Sequence, residues 1–196
     1  MKKSLFLGLI VACLTSCAKK EDPFLIQKDR IGQLSKDVTV KQLDSIFAND
    51  SLVKRIGEGD YIEAGKDRYL VFEKKGRHVF TLTPRQQHDE NEKIKTIQIH
   101  DSRYKTAKGI SLNSTFKDIR ENYKIKNIYN TMKNLVITVN GEEFFTIDKK
   151  ELPEDLRYDM SLTIEAIQIP DIAKIKQFMI NWKHKETVDT DEKDEQ

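Results

Sequence analysis

The sequence contains little cysteine, and what it has is confined to the first seventeen residues. Two cysteines, Cys13 and Cys17, occur among 196 residues. The rest of the chain can form no disulfide, supplies no thiol nucleophile and offers no thiolate ligand to zinc. We therefore expect the fold to depend on the burial of apolar side chains.

Positive charge is not concentrated in any part of the chain. There are 34 Lys and Arg against 32 Asp and Glu, a formal net charge of +2, and Lys2 and Lys3 account for that excess. A nucleic-acid binder is expected to carry a basic patch. The sequence therefore argues against a nucleic-acid partner.

The motifs of several enzyme classes are missing. There is no Gly-x-Ser-x-Gly hydrolase motif, and Gly57-Glu58-Gly59 is too acidic for a phosphate loop. His88-Asp89-Glu90 with Glu92 comes nearest to a metal-ligand cluster, but its polar composition favours a solvated loop. We predict no catalytic residue, no metal and no cofactor, and a pair of catalytic carboxylates outside any motif stays open.

The apolar run near the start of the chain is too short to cross a membrane. Leu5–Leu14 contains ten residues, whereas spanning a bilayer takes about 20. A basic segment, Met1-Lys2-Lys3-Ser4, precedes it, and the small residues Thr15 and Ser16 follow. This is the layout of a secretory signal, so residues 1–16 are predicted to be a cleaved signal peptide.

The end of this segment, Leu14-Thr15-Ser16-Cys17, resembles the lipobox of bacterial lipoproteins. In that family an apolar residue and two small residues precede a cysteine that is acylated and becomes the new N-terminus. The resemblance implies lipidation of Cys17, with the lipid bilayer as a partner. Firm anchoring needs more than one acyl chain. The alternative is an ordinary signal peptide with an incidental cysteine.

The residues after Cys17 bear on location. Ala18 stands where an Asp would resemble an inner-membrane retention signal, which implies the outer membrane. Lys19-Lys20-Glu21-Asp22 resembles the export tag of surface-displayed lipoproteins, or is a solvated linker. Residues 17–30 are predicted to be a lipidated tether. Its apolar part, Phe24-Leu25-Ile26, would either dock onto the domain or lie near the lipid surface.

Capping signals and residue periodicity predict two helices and nine strands. Thr39 with Gln42, and Ser114-Thr115 with Asp118, are typical of helix starts. Runs of β-branched and aromatic residues predict the strands. Their predicted ranges are 52–56, 69–74, 78–83, 93–100, 125–129, 135–139, 142–147, 162–169 and 176–182.

The second half of the chain resembles the first. Leu70-Val71-Phe72 aligns with Leu135-Val136-Ile137, and residues 94–101 align with residues 164–171. This predicts an α+β fold of two repeated helix-plus-four-strand antiparallel units, 31–107 and 108–184, with the helices packed on one sheet face. The two units would merge into one sheet or stand side by side. Residues 185–196 are acidic and predicted to be a disordered tail.

Tandem units of this kind resemble the β-lactamase inhibitory protein. The stretch from Gly109 to Ile119 is also similar to the helix-opening motif of envelope lipoproteins of the BamE/SmpA type, with Asn113 in place of the usual Gly. Both resemblances imply a non-enzymatic, protein-binding role.

One connector, residues 100–106, joins the two predicted units. Asp101, Arg103 and Tyr104 are its candidate binding residues, because Tyr and Arg often carry interface energy. The alternative is a linker in which Asp101 caps a turn. Together, these features predict an outer-membrane, lipid-anchored lipoprotein with a macromolecule-binding or envelope-assembly role and an envelope or extracellular protein partner. Exposure at the cell surface and a periplasmic orientation are its two alternatives. An envelope hydrolase is the alternative.

Overall fold

The computed structural model describes residues 22–55 and 66–184. The predicted signal peptide, Cys17 and the predicted acidic tail lie outside these ranges. The described residues form twelve strands: β1 (Leu25–Ile26), β2 (Arg30–Ile31), β3 (Leu34–Ser35), β4 (Ser51–Arg55), β5 (Arg68–Phe72), β6 (His78–Pro84), β7 (Ile94–Ile99), β8 (Lys105–Thr106), β9 (Ile125–Asn130), β10 (Asn134–Val139), β11 (Glu143–Asp148) and β12 (Ile175–Asn181).

The helices of the described ranges are short. They are α1 (Leu43–Ile46), which follows a 3-10 turn at Val40–Gln42, and α2 (Phe116–Asn122). Three further 3-10 turns lie at Lys149–Glu151, Glu154–Leu156 and Ala166–Gln168.

An eight-stranded antiparallel sheet dominates the molecule, in the order β4-β5-β6-β7-β12-β11-β10-β9. Neighbouring strands along the chain are neighbours in the sheet, except at the centre, where β7 pairs with β12. A glycine permits the tight turn from β5 to β6, since Gly76 has a φ of 78°. A second sheet, in the order β3-β2-β1-β8, is small.

One row of cross-strand partners spans the large sheet and faces the core. We call it the inner row: Leu52, Val71, Phe80, Ile99, Phe178, Phe145, Ile137 and Ile128. Its six central members are almost completely buried. Burial of such side chains is the main favourable term in folding, so this row is the centre of the core.

The inner face of the sheet is covered by the helices and the small sheet. Phe116 and Ile119 of α2 and Leu43 of α1 are fully buried and belong to the same core cluster as the inner row. The predicted helix starts are confirmed, because Gln42 Oε1 accepts a hydrogen bond from Thr39 N at 2.9 Å and Asp118 Oδ2 accepts one from Thr115 N at 2.7 Å.

The prediction of an α+β fold with two repeated helix-plus-four-strand units is wrong. The described chain is mostly β, with twelve strands in two sheets, and its helices contain only four and seven residues. The predicted strand 162–169 is also absent. Glu165 N donates to Gln168 Oε1 at 2.8 Å, and this local bond favours the 3-10 turn at Ala166–Gln168.

The predicted tether contributes β1 and the first residue of β2 to the small sheet. Of residues 17–30, those from 22 onward are described, and they include β1. Ile26 is 6% exposed and Phe24 packs against the core. The described part of this stretch is therefore folded onto the domain, so the docking alternative for residues 24–26 is confirmed.

Candidate functional site

The three candidate binding residues lie together, and their side chains are engaged mainly by other residues of the domain. The Asp101 carboxylate accepts hydrogen bonds from Arg103 N at 2.9 Å and Arg103 Nε at 2.8 Å. Asp101 is 4% exposed and Tyr104 is 8% exposed. Asp101 therefore holds the turn that follows β7.

These residues also attach the N-terminal segment to the large sheet. The Arg103 guanidinium lies over the Phe24 ring at 4.5 Å and also pairs with Glu73. The Tyr104 ring meets the edges of Phe24 at 5.2 Å and Phe80 at 4.8 Å. We call these contacts the Arg103 cluster; they join β1 to the sheet.

The electrostatics of the Arg103 cluster agree with an internal role. Burial by itself would raise the pKa of Asp101, but the hydrogen bonds from Arg103 outweigh it, and the pKa lies below its usual value. Burial also raises the pKa of Tyr104 to about 12. The carboxylate and the guanidinium thus remain charged, and the phenol neutral, across the physiological range.

No element of residues 22–55 and 66–184 covers the second face of the large sheet. A row of partners spans all eight strands on this face, and we call it the outer row: Val53, Leu70, Thr81, Gln98, Met179, Phe144, Thr138 and Asn127. All of them are at least partly exposed, and Val53 is 41% exposed. None is charged.

One neighbouring row contains Thr83, Thr96 and Asn181 on the central strands and continues to the cations Arg68 and Arg55 on β5 and β4. The other contains the uncharged residues Gln177, Thr146, Val136 and Tyr129. Tyr129 is 51% exposed. Because neighbouring strands lie about 4.8 Å apart, the outer row is about 34 Å long. This open face has the size of a protein interface.

A ladder of aromatic rings borders the open face near the outer row. His78 stacks on Phe72 at 4.7 Å and on His100 at 3.8 Å, measured between ring centroids. Thr81 Oγ1 lies 2.9 Å from His100 Nε2. Burial, helped by the neighbouring His78, lowers the pKa of His100 from 6.5 to about 4, so the ladder is uncharged at neutral pH.

A cavity of about 660 Å³ lies beside β1 and β8, with Ile26 and Ile180 among its apolar lining. Its two carboxylates are engaged within the domain. Glu142 Oε1 accepts from Lys36 Nζ at 2.7 Å, and Glu143 Oε1 accepts from the Tyr123 hydroxyl at 3.1 Å. Both carboxylates therefore serve as hydrogen-bond acceptors for neighbouring side chains of the domain.

The loop of His88, Asp89, Glu90 and Glu92 does not converge on a common centre. The His88 amide donates to Asp67 Oδ2 at 2.6 Å, and Glu92 pairs with Arg85 at 3.2 Å. Over residues 22–55 and 66–184, no group of three or more His, Cys, Asp and Glu side chains is arranged to hold a metal ion. In the same ranges, no helix is long and apolar enough to cross a membrane.

Comparisons with known proteins bear on the fold alone. No protein-family model and no curated protein matches the sequence. The crystal structure of the uncharacterized protein YfeY from Escherichia coli is similar, with a TM-score of 0.51 and 11% sequence identity. The match covers 79% of this chain and 97% of that chain. At this identity, the similarity indicates a shared fold.

The sequence did not single out the open face. Leu70, Phe144 and Met179 of the outer row, and Val136 of the neighbouring row, alternate with core residues along their strands. However, both faces of these strands carry apolar residues, so period-two alternation does not reveal which face is covered. The absence of charge from the outer row was the available signal, and this row can be recognised only once the strand register is known.

Proposed function

We propose that the protein is an outer-membrane lipoprotein, anchored by acylated Cys17, that binds a protein partner through the open face of its large sheet. The role is non-enzymatic. The observation that carries the proposal is the outer row, an uncharged band across eight strands.

The composition of the open face fits a protein partner. Interface centres are depleted in charged residues and enriched in aromatic residues and Met. The outer row contains Phe144 and Met179 and no charged residue, and Tyr129 lies in a neighbouring row. With strands of about 17 Å, the outer row and its neighbours cover roughly 600 Å² in projection, and a partner in a stable complex buries about 800 Å².

The anchor would hold the domain close to the lipid surface. The described fold begins at Asp22, whose carboxylate accepts the Phe24 amide at 2.9 Å. Five residue steps separate Cys17 from Asp22, and a fully extended chain of that length reaches at most about 18 Å. A partner at the membrane surface is therefore within reach of the domain.

Palmitate labelling in cells tests the anchor. We expect the wild-type chain to be labelled and Cys17→Ser to lose the label, because Cys17 is the acylated residue. Cys13→Ser is the matched control and should stay labelled. Continued labelling of Cys17→Ser, with unchanged membrane fractionation, would contradict the anchor.

Site-specific photo-crosslinking tests the binding face. A photoreactive residue in place of Met179, at the centre of the outer row, should give one discrete protein adduct in cells. Leu70→Lys should then reduce the adduct about tenfold, because the partner would bury an unpaired charge. Ile172→Lys is the control, since Ile172 is 80% exposed outside the sheet. Equal losses in both variants would refute the use of the open face.

A further inference from the structure

A separate cavity, of about 490 Å³, carries an excess of positive charge. It lies where β11 and the chain after it meet the turn between β9 and β10. Five cationic side chains and one carboxylate line it, and we call it the basic pocket: Lys133, Lys149, Lys150, Arg157, Lys176 and Asp148. It shares no lining residue with the outer row.

The one carboxylate of the basic pocket is already occupied. Asp148 Oδ2 pairs with Lys176 Nζ at 2.8 Å, and Asp148 Oδ1 accepts the Lys150 amide at 3.0 Å. The charge of Lys149 also acts on Asp159, but Asp159 Oδ1 is bound by the amide and hydroxyl of Ser161. Within the described chain, no ion pair involves Lys133, Lys149, Lys150 or Arg157.

Lys149 is the unusual member of the basic pocket. It is 4% exposed, and its Nζ is buried with no hydrogen-bond partner among the described residues. Its backbone is pinned on both sides, since its amide donates to Lys133 O and its carbonyl accepts from Leu152 N, both at 3.0 Å. Buried polar groups nearly always have partners, and a buried cation without one is costly. An anion in the pocket would supply that partner.

Arg157 is held in place beside it. Its Nε donates to Leu152 O at 2.8 Å, which fixes the guanidinium plane and leaves its other N–H groups for an acceptor. A planar guanidinium and several lysines suit an anion with more than two oxygens, since Arg binds in a fork and Lys acts as a point charge.

We propose that the basic pocket binds a phosphate ester, with Lys149 and Arg157 as its principal ligands. Met132 and Tyr158, which line the same cavity and are 73% and 78% exposed, would contact the organic part of the ester. The ester is either a free small molecule or a lipid headgroup. The proposal is independent of the acylation of Cys17 and of the outer row.

Titration calorimetry tests this with the full chain in a neutral detergent. The probes are glycerol 3-phosphate, dihexanoyl phosphatidic acid and, as the uncharged-headgroup control, dihexanoyl phosphatidylcholine. We expect at least one phosphate monoester to bind, with affinity reduced about tenfold or more by Arg157→Gln and by Lys149→Met. Lys126→Gln is the matched control, because Lys126 is exposed on β9 outside the pocket, and it should bind as the wild type does.

The two monoesters distinguish the sources. Tighter binding of phosphatidic acid, with the difference removed by Tyr158→Ala, would assign a lipid headgroup, and equal binding would assign a free ester. Absence of binding by both monoesters would overturn the proposal, and so would binding unaffected by Arg157→Gln.

Lys149→Met should also raise the melting temperature of the unliganded protein, because it removes a buried nitrogen without a partner. A lower melting temperature would contradict that assignment.

Discussion

Asp101 shows how a polar side chain can stabilise this fold from inside. Its side chain is 3% exposed, and it holds Arg103, which in turn covers Phe24 and pairs with Glu73. The carboxylate thus links the turn after β7 to the N-terminal segment. When a buried acceptor loses its charge, each hydrogen bond that it accepts becomes weaker.

Asp101→Asn should lower the free energy of unfolding by about 2 kcal/mol, since hydrogen bonds to charged groups contribute about 1.5–3 kcal/mol. The measurement is urea unfolding followed by the fluorescence of Trp182, the single tryptophan, which is 1% exposed. Asp29→Asn is the control, because the Asp29 side chain is 70% exposed. A change in Asp101→Asn no larger than in the control would contradict the role of the Arg103 cluster.

His100 should make the stability depend on pH. Its pKa is lowered from 6.5 to about 4 by burial. Between pH 6.5 and pH 4, the His100 ring is therefore protonated in the unfolded chain and neutral in the folded chain. The stability should therefore fall as the pH falls from 6.5 to 4. The expected loss is about 1–2 kcal/mol, because solvent screens a partly buried ring.

Urea unfolding at a series of pH values measures this effect. His100→Gln should show a shallower decline between pH 6.5 and 4 than the wild type. The neighbouring His78, whose pKa burial also lowers, should leave a smaller decline of the same sign. The same slope in wild type and variant would show that His100 does not titrate as the structure indicates.

Among single residues, the sequence correctly grouped the candidate binding residues of the Arg103 cluster, but it did not show that they act within the fold. Asp101, Arg103 and Tyr104 do lie together, as their place in one short connector suggests. Their burial depends on Phe24, which is about eighty residues earlier in the chain. Such a contact leaves no local pattern, so an internal role could not be separated from a binding role.

At the scale of elements, β12 illustrates how one strand serves two faces. Phe178 belongs to the inner row and is fully buried, stacked on Phe145 with 5.0 Å between ring centroids. The next residue, Met179, belongs to the outer row and is partly exposed. Neighbouring side chains on a strand point to opposite faces, so the two have different roles.

Phe178→Ala should destabilise the protein by about 3–5 kcal/mol, because it leaves a cavity at the centre of the core. Met179→Ala should cost less than about 1 kcal/mol, because its side chain leaves no buried cavity. Chemical unfolding of both variants measures the difference. Similar losses in the two variants would mean that the two faces of the sheet are not distinguished as described.

The eight strands of the large sheet were predictable from the sequence, and one predicted strand, at residues 162–169, does not form. The hairpins of β5–β6 and β10–β11 follow runs of β-branched and aromatic residues. Residues 162–169 show the same pattern, but Leu162 and Ile167 are 37% and 83% exposed, and a local bond of Gln168 forms a turn. The alignment of residues 94–101 with residues 164–171 therefore matched a strand with a turn.

At the scale of the whole molecule, the large sheet has one covered face and one open face. The helices, the small sheet and the N-terminal segment are all packed on the inner face. The sequence could not predict this arrangement, because the pairing of β7 with β12 depends on contacts about eighty residues apart. The small sheet was likewise hidden, since its strands contain two residues each.

A photo-crosslinking scan in intact cells shows whether the open face binds a protein partner. The photoreactive residue would replace Val53, Gln98 or Phe144 on the open face, and Ile167 or Ile172 outside the sheet, where two other apolar side chains are exposed. We expect a discrete protein adduct from the three open-face positions, carried by palmitate-labelled protein, and none from the two controls. Adducts of equal or greater yield at Ile167 and Ile172 would contradict it.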